Sequence, residues 1–276
     1  MRTLIERLYF ALCLGVGRAL RSARYAHTLI VSDGAIAEVR KRRSCHAPFI
    51  VWIGGPLLRA MNTGVRVLAR REWQERERRI YQSLYETSPR IEPDGTLVLP
   101  CFRGETLATL LERRDVDESV RERAIELAVG ALADLHRRGL THGDAMAENV
   151  IVDLEAGNAH WFDFETVHES TRTPTWCRAD DVRALLASCL IRSAPEAASR
   201  NIALVLHAYA DESVTPLVAI QFTSVWRRPL AFHLGQAALS FPRFAQIGRQ
   251  LNALHGTHGP AKPTSWQTEL KIVERV

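Results

Sequence analysis

The clearest pattern of apolar and polar positions lies between Asp117 and Arg138. There Val120, Ala124, Leu127, Ala131 and Leu135 recur at helical spacing, with Asp117 placed to cap the helix and Gly139 to stop it. A second, more charged helix is predicted roughly from Val67 to Tyr85, because Trp73, Glu77, Ile80 and Leu84 share one face. Glu77 interrupts that apolar stripe with a carboxylate. If the face is buried, the carboxylate needs a cationic or hydrogen-bonding partner, since burying a lone charge is costly; if the face is half-buried, it reaches water.

Three stretches read as hairpins. His27 to Val31, a Ser32-Asp33-Gly34 turn and Ile36 to Arg40 lead into Lys41 on the second strand. Ile91 to Pro100 repeats the form around Asp94-Gly95, and a short helix is expected from Glu105 to Arg113. Val150-Ile151-Val152, a turn through Gly157-Asn158 and His160-Trp161-Phe162 make the third hairpin, which ends at Asp163. Residues 180 to about 250 read as mainly helical. At the start of the chain, 1–26 is an amphipathic helix with Leu4, Ile5, Leu8, Tyr9 and Leu12 on one stripe and arginines near its ends. The apolar stretch 46–62, broken by Gly54-Gly55-Pro56, reads as an insertion, and 256–276 as a flexible tail.

Composition narrows this picture. Of 276 residues 46% are hydrophobic and 24% charged, which excludes a mainly disordered or disulfide-scaffold chain. Cys13, Cys45, Cys101, Cys177 and Cys189 form no CxxC pair and read as reduced thiols, hence a cytoplasmic chain. The longest apolar run near the start, Leu8 to Val16, is too short to span a bilayer, so peripheral contact with the inner membrane is the membrane role left open. The net charge of +5 suits an anionic partner. No helix-turn-helix, zinc-finger or aromatic-basic signature points to nucleic acid, and no histidine–cysteine spacing points to zinc. Lysine is almost absent: the chain has only Lys41, Lys262 and Lys271 among its 36 basic residues. Lys41 therefore marks a place where a compact ammonium is wanted in place of a guanidinium fork, unless chance left it there.

The chemistry concentrates in two loops. Thr141-His142-Gly143-Asp144-Ala145-Met146-Ala147-Glu148-Asn149 joins the long helix to the third hairpin, and Asp163-Phe164-Glu165 follows that hairpin. Asp144, Asn149 and Asp163 thus converge as oxygen ligands of the kind a hard divalent cation takes. At these residues the chain resembles the protein-kinase-like superfamily, whose catalytic loop reads H-x-D-x-x-x-x-N and whose metal loop begins with Asp. The order Lys41, Glu77, linker near 100–104, long helix, His142/Asp144/Asn149 and Asp163 follows the same fold from about residue 27 to 190. The His-Gly-Asp form and small size are most similar to the atypical bacterial branch that holds the lipopolysaccharide-core sugar kinases (Kdo/heptose kinase type) and the RIO-like kinases.

The resemblance implies an α+β, two-lobed protein-kinase-like fold. Its small β-rich N-lobe with one main helix would span 27–100, and its larger, mostly helical C-lobe 101–255. It implies an ATP- and Mg²⁺-dependent phosphotransferase in which Asp144 deprotonates the acceptor hydroxyl and His142 packs the loop. Asn149 and Asp163 would hold Mg²⁺, Lys41 would contact the α- and β-phosphates, and Glu77 would hold Lys41. Asp181 is expected to brace the catalytic loop, with Asp180 as the alternative.

Some features depart from the regulatory protein kinases. The first hairpin has the single glycine Gly34 in place of a glycine-rich loop, and Glu165 stands third in the metal loop. From Glu165 to Asp180 the chain is too short for a long activation segment, which favours a small hydroxyl acceptor over a protein. Acids past residue 182 are few, Glu196, Asp211, Glu212, Glu269 and Glu274, so an anionic acceptor fits better than a cationic one. The leading expectation is a sugar of a lipopolysaccharide or related glycolipid at the inner membrane surface. The alternatives are a soluble small-molecule or protein kinase, and a pseudokinase that binds nucleotide or a partner without turnover.

Overall fold

A computed structural model describes residues 26–33, 36–44 and 64–223, together with Trp52 and single positions between 247 and 253. The expected helix at 1–26, the insertion at 46–62 and the tail at 256–276 lie outside these, apart from Ala26 and the exposed Trp52. Ala26 opens the first strand and pairs with Arg43.

The described chain is α+β, with a sheet-rich N-terminal part followed by a mostly helical one. Its first sheet is antiparallel in the order β1-β2-β5-β4, built from β1 (Ala26–Asp33), β2 (Ile36–Arg43), β4 (Arg90–Ile91) and β5 (Leu97–Pro100). The register opposes Asp33 to Ile36, so Ser32 and Asp33 belong to the strand and not to the predicted turn. Alternation along β2 buries Lys41 and Arg43 and exposes Arg42, which fixes the strand's frame at the lysine. Lys41 sits opposite Thr28 on one side and Leu97 on the other. The β4–β5 hairpin turns at Gly95, whose φ of +79° and N–H bond to the Glu92 carbonyl suit glycine, while Asp94 accepts from the Thr96 N–H.

The predicted helix at 67–85 begins later, as α1 (Arg70–Tyr85). Val65–Val67 is instead a strand, β3, paired with β9 (Thr166–His168), in keeping with its two valines. The first turn of α1 is secured by Glu72, whose carboxylate accepts the Ala69 N–H. Trp73, Glu77 and Ile80 are buried on the predicted face, joined by Gln74 and Tyr81.

The short helix expected at 105–113 is also shorter than predicted. Glu105–Thr106 is a strand, β6, paired with β7 (Val150–Asp153), and α2 (Leu107–Glu112) follows with the Thr106 hydroxyl capping the Thr109 N–H. Gly104 just before it has φ +108°, and a Cβ there would lie 2.2 Å from the Val152 carbonyl oxygen, so the close strand pairing requires glycine. The long helix, α3 (Glu118–Arg137), starts and stops where predicted, although the Asp117 side chain caps nothing. Gly139 (φ +71°) and Leu140 return N–H bonds to His136 and Leu135, the paired bonds of a Schellman stop. Its buried stripe is Ala124, Ile125, Ala128, Val129, Leu132, Leu135 and His136, rotated slightly from the predicted one.

β7 and β8 (Asn158–Trp161) form the third hairpin, with Asn158 in the strand. Three further helices follow: α4 (Pro174–Arg192), α5 (Ala198–Tyr209) and α6 (Thr215–Thr223). α4 starts six residues before 180 because Pro174 suits the first helical position and the Thr173 hydroxyl caps the Trp176 N–H. It is buried along most of its length and forms the axis of the core with α3. Among the described residues no helix is long and apolar enough to cross a membrane.

Candidate functional site

Residues from four separate stretches meet where β2, α1 and the two loops adjoin. Lys41 and Glu77 are buried, and the lysine Nζ lies 3.5 Å from Glu77 Oε1 and 2.5 Å from Asp163 Oδ1, 122 residues away in sequence. Glu77 is fully shielded from water, and its second oxygen accepts the Phe164 N–H at 2.9 Å. Of the two sequence alternatives for Glu77, the partnered one is therefore what the structure contains. Burial alone would lower the Lys41 pKa; the nearby Asp163, Glu77 and Glu165 carboxylates outweigh it and hold the ammonium above its ordinary value. Burial pushes the Glu77 carboxyl up, with Lys41 and the Phe164 N–H opposing.

The loop 141–149 is held from both sides. His142 is buried, and its Nδ1 accepts the Asp144 N–H, so the Nε2–H donates to the Phe162 carbonyl at 2.9 Å. Burial keeps its pKa below the ordinary histidine value. The ring also packs on Phe164, 4.6 Å between centroids, and Phe164 in turn meets Tyr81 edge-on. Gly143 (φ +84°) turns the chain beneath Thr166. Asp181, and not Asp180, reaches the loop: its two oxygens accept the His142 and Gly143 N–H groups at 2.7 and 2.8 Å. Asp180 is engaged with His168 and the buried Arg183. Asp144 is half-buried, and Asn149 donates its side-chain amide to both the Asp144 carbonyl, 2.8 Å, and Asp144 Oδ2, 3.1 Å.

Both of Asn149's bonds use Nδ2, so Oδ1 is the atom with which it could ligate a metal. Asn149 Oδ1 and the Asp163 carboxylate, one-third exposed, are each hard oxygen donors of the type that could hold Mg²⁺ when phosphate and water complete the shell. Among the described residues no group of three or more His, Cys, Asp or Glu side chains forms a denser metal cluster. Asp163 itself has a left-handed φ of +69°, a backbone conformation that costs energy for a residue with a Cβ.

All seven side chains singled out in the sequence, Lys41, Glu77, His142, Asp144, Asn149, Asp163 and Asp181, are thus linked through hydrogen bonds, ion pairs or ring contacts in one region. Sequence reasoning missed others. Arg43, one strand repeat beyond Lys41, lies 3.9 Å from Glu165, one repeat beyond Asp163, and its guanidinium packs on Trp73. Period-two alternation from Lys41 was the available signal. His136 and His168 also gather on Asp181, at 3.0 and 3.8 Å, with Tyr209 on the far nitrogen of His136. Burial would raise the Asp181 pKa, but these histidines dominate and hold it below the ordinary carboxylate range. His136 could have been found one helical turn after Leu132 on the buried stripe.

Residues 104–209 match the model of the lipopolysaccharide kinase (Kdo/WaaP) family. No curated protein matches the chain.

Proposed function

We propose that this kinase, of the lipopolysaccharide kinase type across 104–209, moves the γ-phosphoryl group of ATP to a sugar hydroxyl of a lipopolysaccharide or related glycolipid. The observation that carries the reading is the convergence of Lys41, Glu77 and Asp163 within hydrogen-bonding or ion-pair distance, beside the Asp144–Asn149 loop. That constellation supplies the parts phosphoryl transfer asks for, chiefly positioning and charge stabilisation.

In this reading Glu77 fixes Lys41, and Lys41 takes the α- and β-phosphates. Asn149 Oδ1 and the Asp163 carboxylate would hold Mg²⁺, which when bound would neutralise charge on the phosphate oxygens. Asp144 orients the acceptor hydroxyl and takes its proton as the sugar oxygen bonds to the γ-phosphorus. The bond from that phosphorus to the bridging oxygen breaks, and ADP leaves with its electron pair. His142 and Asp181 act on the backbone of the loop and keep Asp144 in place. The scarcity of acids past residue 182 supports an anionic acceptor. The arginines at 18, 21 and 24 support contact with an anionic inner-membrane surface.

The test is incubation with Mg²⁺, ATP and lipopolysaccharide core preparations, read by mass spectrometry as the gain of one phosphate. Transfer is expected in the wild type and is expected to disappear in Asp144→Ala and Asp163→Ala. Equal background in all three proteins would overturn the reading in favour of a binding module without turnover. Flotation with anionic liposomes checks the membrane part separately; failure of the intact protein to float removes it.

A further inference from the structure

α4 contributes more to the loop than Asp181. Asp181, Ser188 and Arg192 are spaced by seven and four residues and so lie along one helix face. Each meets a successive part of the loop. Asp181 accepts the N–H groups of His142 and Gly143. The Ser188 hydroxyl oxygen accepts the Ala147 N–H at 2.9 Å, and Arg192 donates to Glu148 Oε1 at 2.5 Å.

The second and third contacts are themselves fixed. Ser188 is fully buried, and its hydroxyl donates to the Leu185 carbonyl at 2.8 Å, which orients its lone pairs toward Ala147. Arg192 is tied to the Ser188 carbonyl at 3.0 Å and to Glu112 of α2 at 3.0 Å, and its side chain is mostly buried. Ala147–Asn149 is a single 3₁₀ turn, so both residues before Asn149 are pinned to the same helix. Asp181 anchors the start of the loop, but between Gly143 and Asn149 the chain also passes through the Asp144–Met146 and Met146–Asn149 backbone bonds. Besides its own amide bonds to Asp144, Asn149 is therefore placed through this second anchor.

We infer that Ser188 and Arg192 are positioning residues that set the Ala147–Asn149 turn, and through it the placement of Asn149 against Asp144; this rests on the metal-holding and proton-accepting roles proposed above. A buried N–H that loses its acceptor does not stay put at no cost, so removing the Ser188 hydroxyl releases the turn. Partners one shell out from a metal ligand typically govern metal affinity by about ten- to a hundredfold.

The experiment compares Ser188→Ala, Arg192→Gln and Arg192→Lys with Arg200→Gln. The last breaks an exposed ion pair between α5 and α3 and serves as control. Amide hydrogen exchange over 141–152, calorimetric binding of Mg²⁺·ADP, and the Mg²⁺ concentration for half-maximal transfer are measured on the full chain. In S188A the Ala147 amide is expected to exchange about five- to tenfold faster, the equivalent of one net hydrogen bond. S188A and R192Q should each need about tenfold more Mg²⁺ and bind Mg²⁺·ADP correspondingly more weakly. R192K should recover part of the loss, and R200Q should match the wild type.

Exchange that rises equally across α3 and α4, or an unchanged Mg²⁺ requirement together with a lowered melting temperature, would reduce both residues to general structural roles and overturn the inference. If S188A does not fold, R192Q at the more accessible end of the face decides the same question. If the wild type transfers no phosphate, the proposed activity fails, while exchange and Mg²⁺·ADP binding still decide whether α4 positions the turn.

Discussion

Replacing Glu77 removes two contacts that can be separated by the choice of substitution. In Glu77→Ala, Lys41 loses a carboxylate 3.5 Å from its Nζ, and the Phe164 N–H loses its acceptor at 2.9 Å. Breaking a buried ion pair from one side costs ~3–5 kcal/mol. Asp163 still faces the same ammonium at 2.5 Å, so the expected loss is near the lower bound, about 3 kcal/mol. The orphaned N–H accounts for ~1–3 kcal/mol of it. Glu77→Gln keeps an oxygen that can accept from Phe164 and loses only the charge, for an expected ~1–2 kcal/mol. At roughly 2–4 °C per kcal/mol for a chain of this size, E77A should melt ~6–12 °C lower and E77Q ~2–8 °C lower. Thermal unfolding followed by circular dichroism measures both, and transfer assays on the folded variants should show losses in each, because the lysine is no longer held. Equal destabilisation by the two substitutions would refute the role given to the Phe164 bond. A melting temperature in E77A within about 2 °C of wild type would refute the burial argument altogether.

Other perturbations act on single links. Asp144→Asn removes a half-buried carboxylate, so phosphate transfer should drop by ~10²–10⁴-fold with little change in melting temperature; an active variant would take proton transfer away from this residue. Gly143→Ala places a Cβ 2.9 Å from Thr166 Oγ1 at a φ of +84°, and denaturant titration should show a loss of about 1–3 kcal/mol. For pH, the buried His142 has a pKa held below its ordinary 6.5. As pH falls through 6.5, the unfolded chain takes up a proton that the native state refuses, so this contribution to stability is complete above 6.5 and declines below it. Denaturation midpoints between pH 8 and 5 should fall more steeply in the wild type than in His142→Gln, and identical slopes would count against the assignment.

Much of this arrangement was readable from residue order because local rules and long-range demands agreed. The striped glutamate and the solitary lysine each pointed to a partner, and the Gly139 stop together with the alternating hairpins placed the loops at one edge. What escaped was set by tertiary contacts. β3 and β9 are three residues long and are held by their pairing with one another, so Val67, the last residue of β3, read as the start of the helix. β6 likewise owes its two residues to β7. Asp180 and Asp181 are adjacent and chemically alike, and burial on α4 assigns each its partners. The histidines around Asp181 come from helices and strands far apart in sequence, a convergence that periodicity does not encode.

The matched spacing of Lys41 and Arg43 against Asp163 and Glu165 bears on how the molecule can move. Two ion pairs at equal intervals rivet the first sheet to the Asp163 loop along a line, as two pins fix a plate where one would leave it free to swivel. Swinging of the sheet away from that loop would have to break both contacts. A hinge that admits a bulky acceptor is therefore expected in the helical half, with the lysine and aspartate moving together across it.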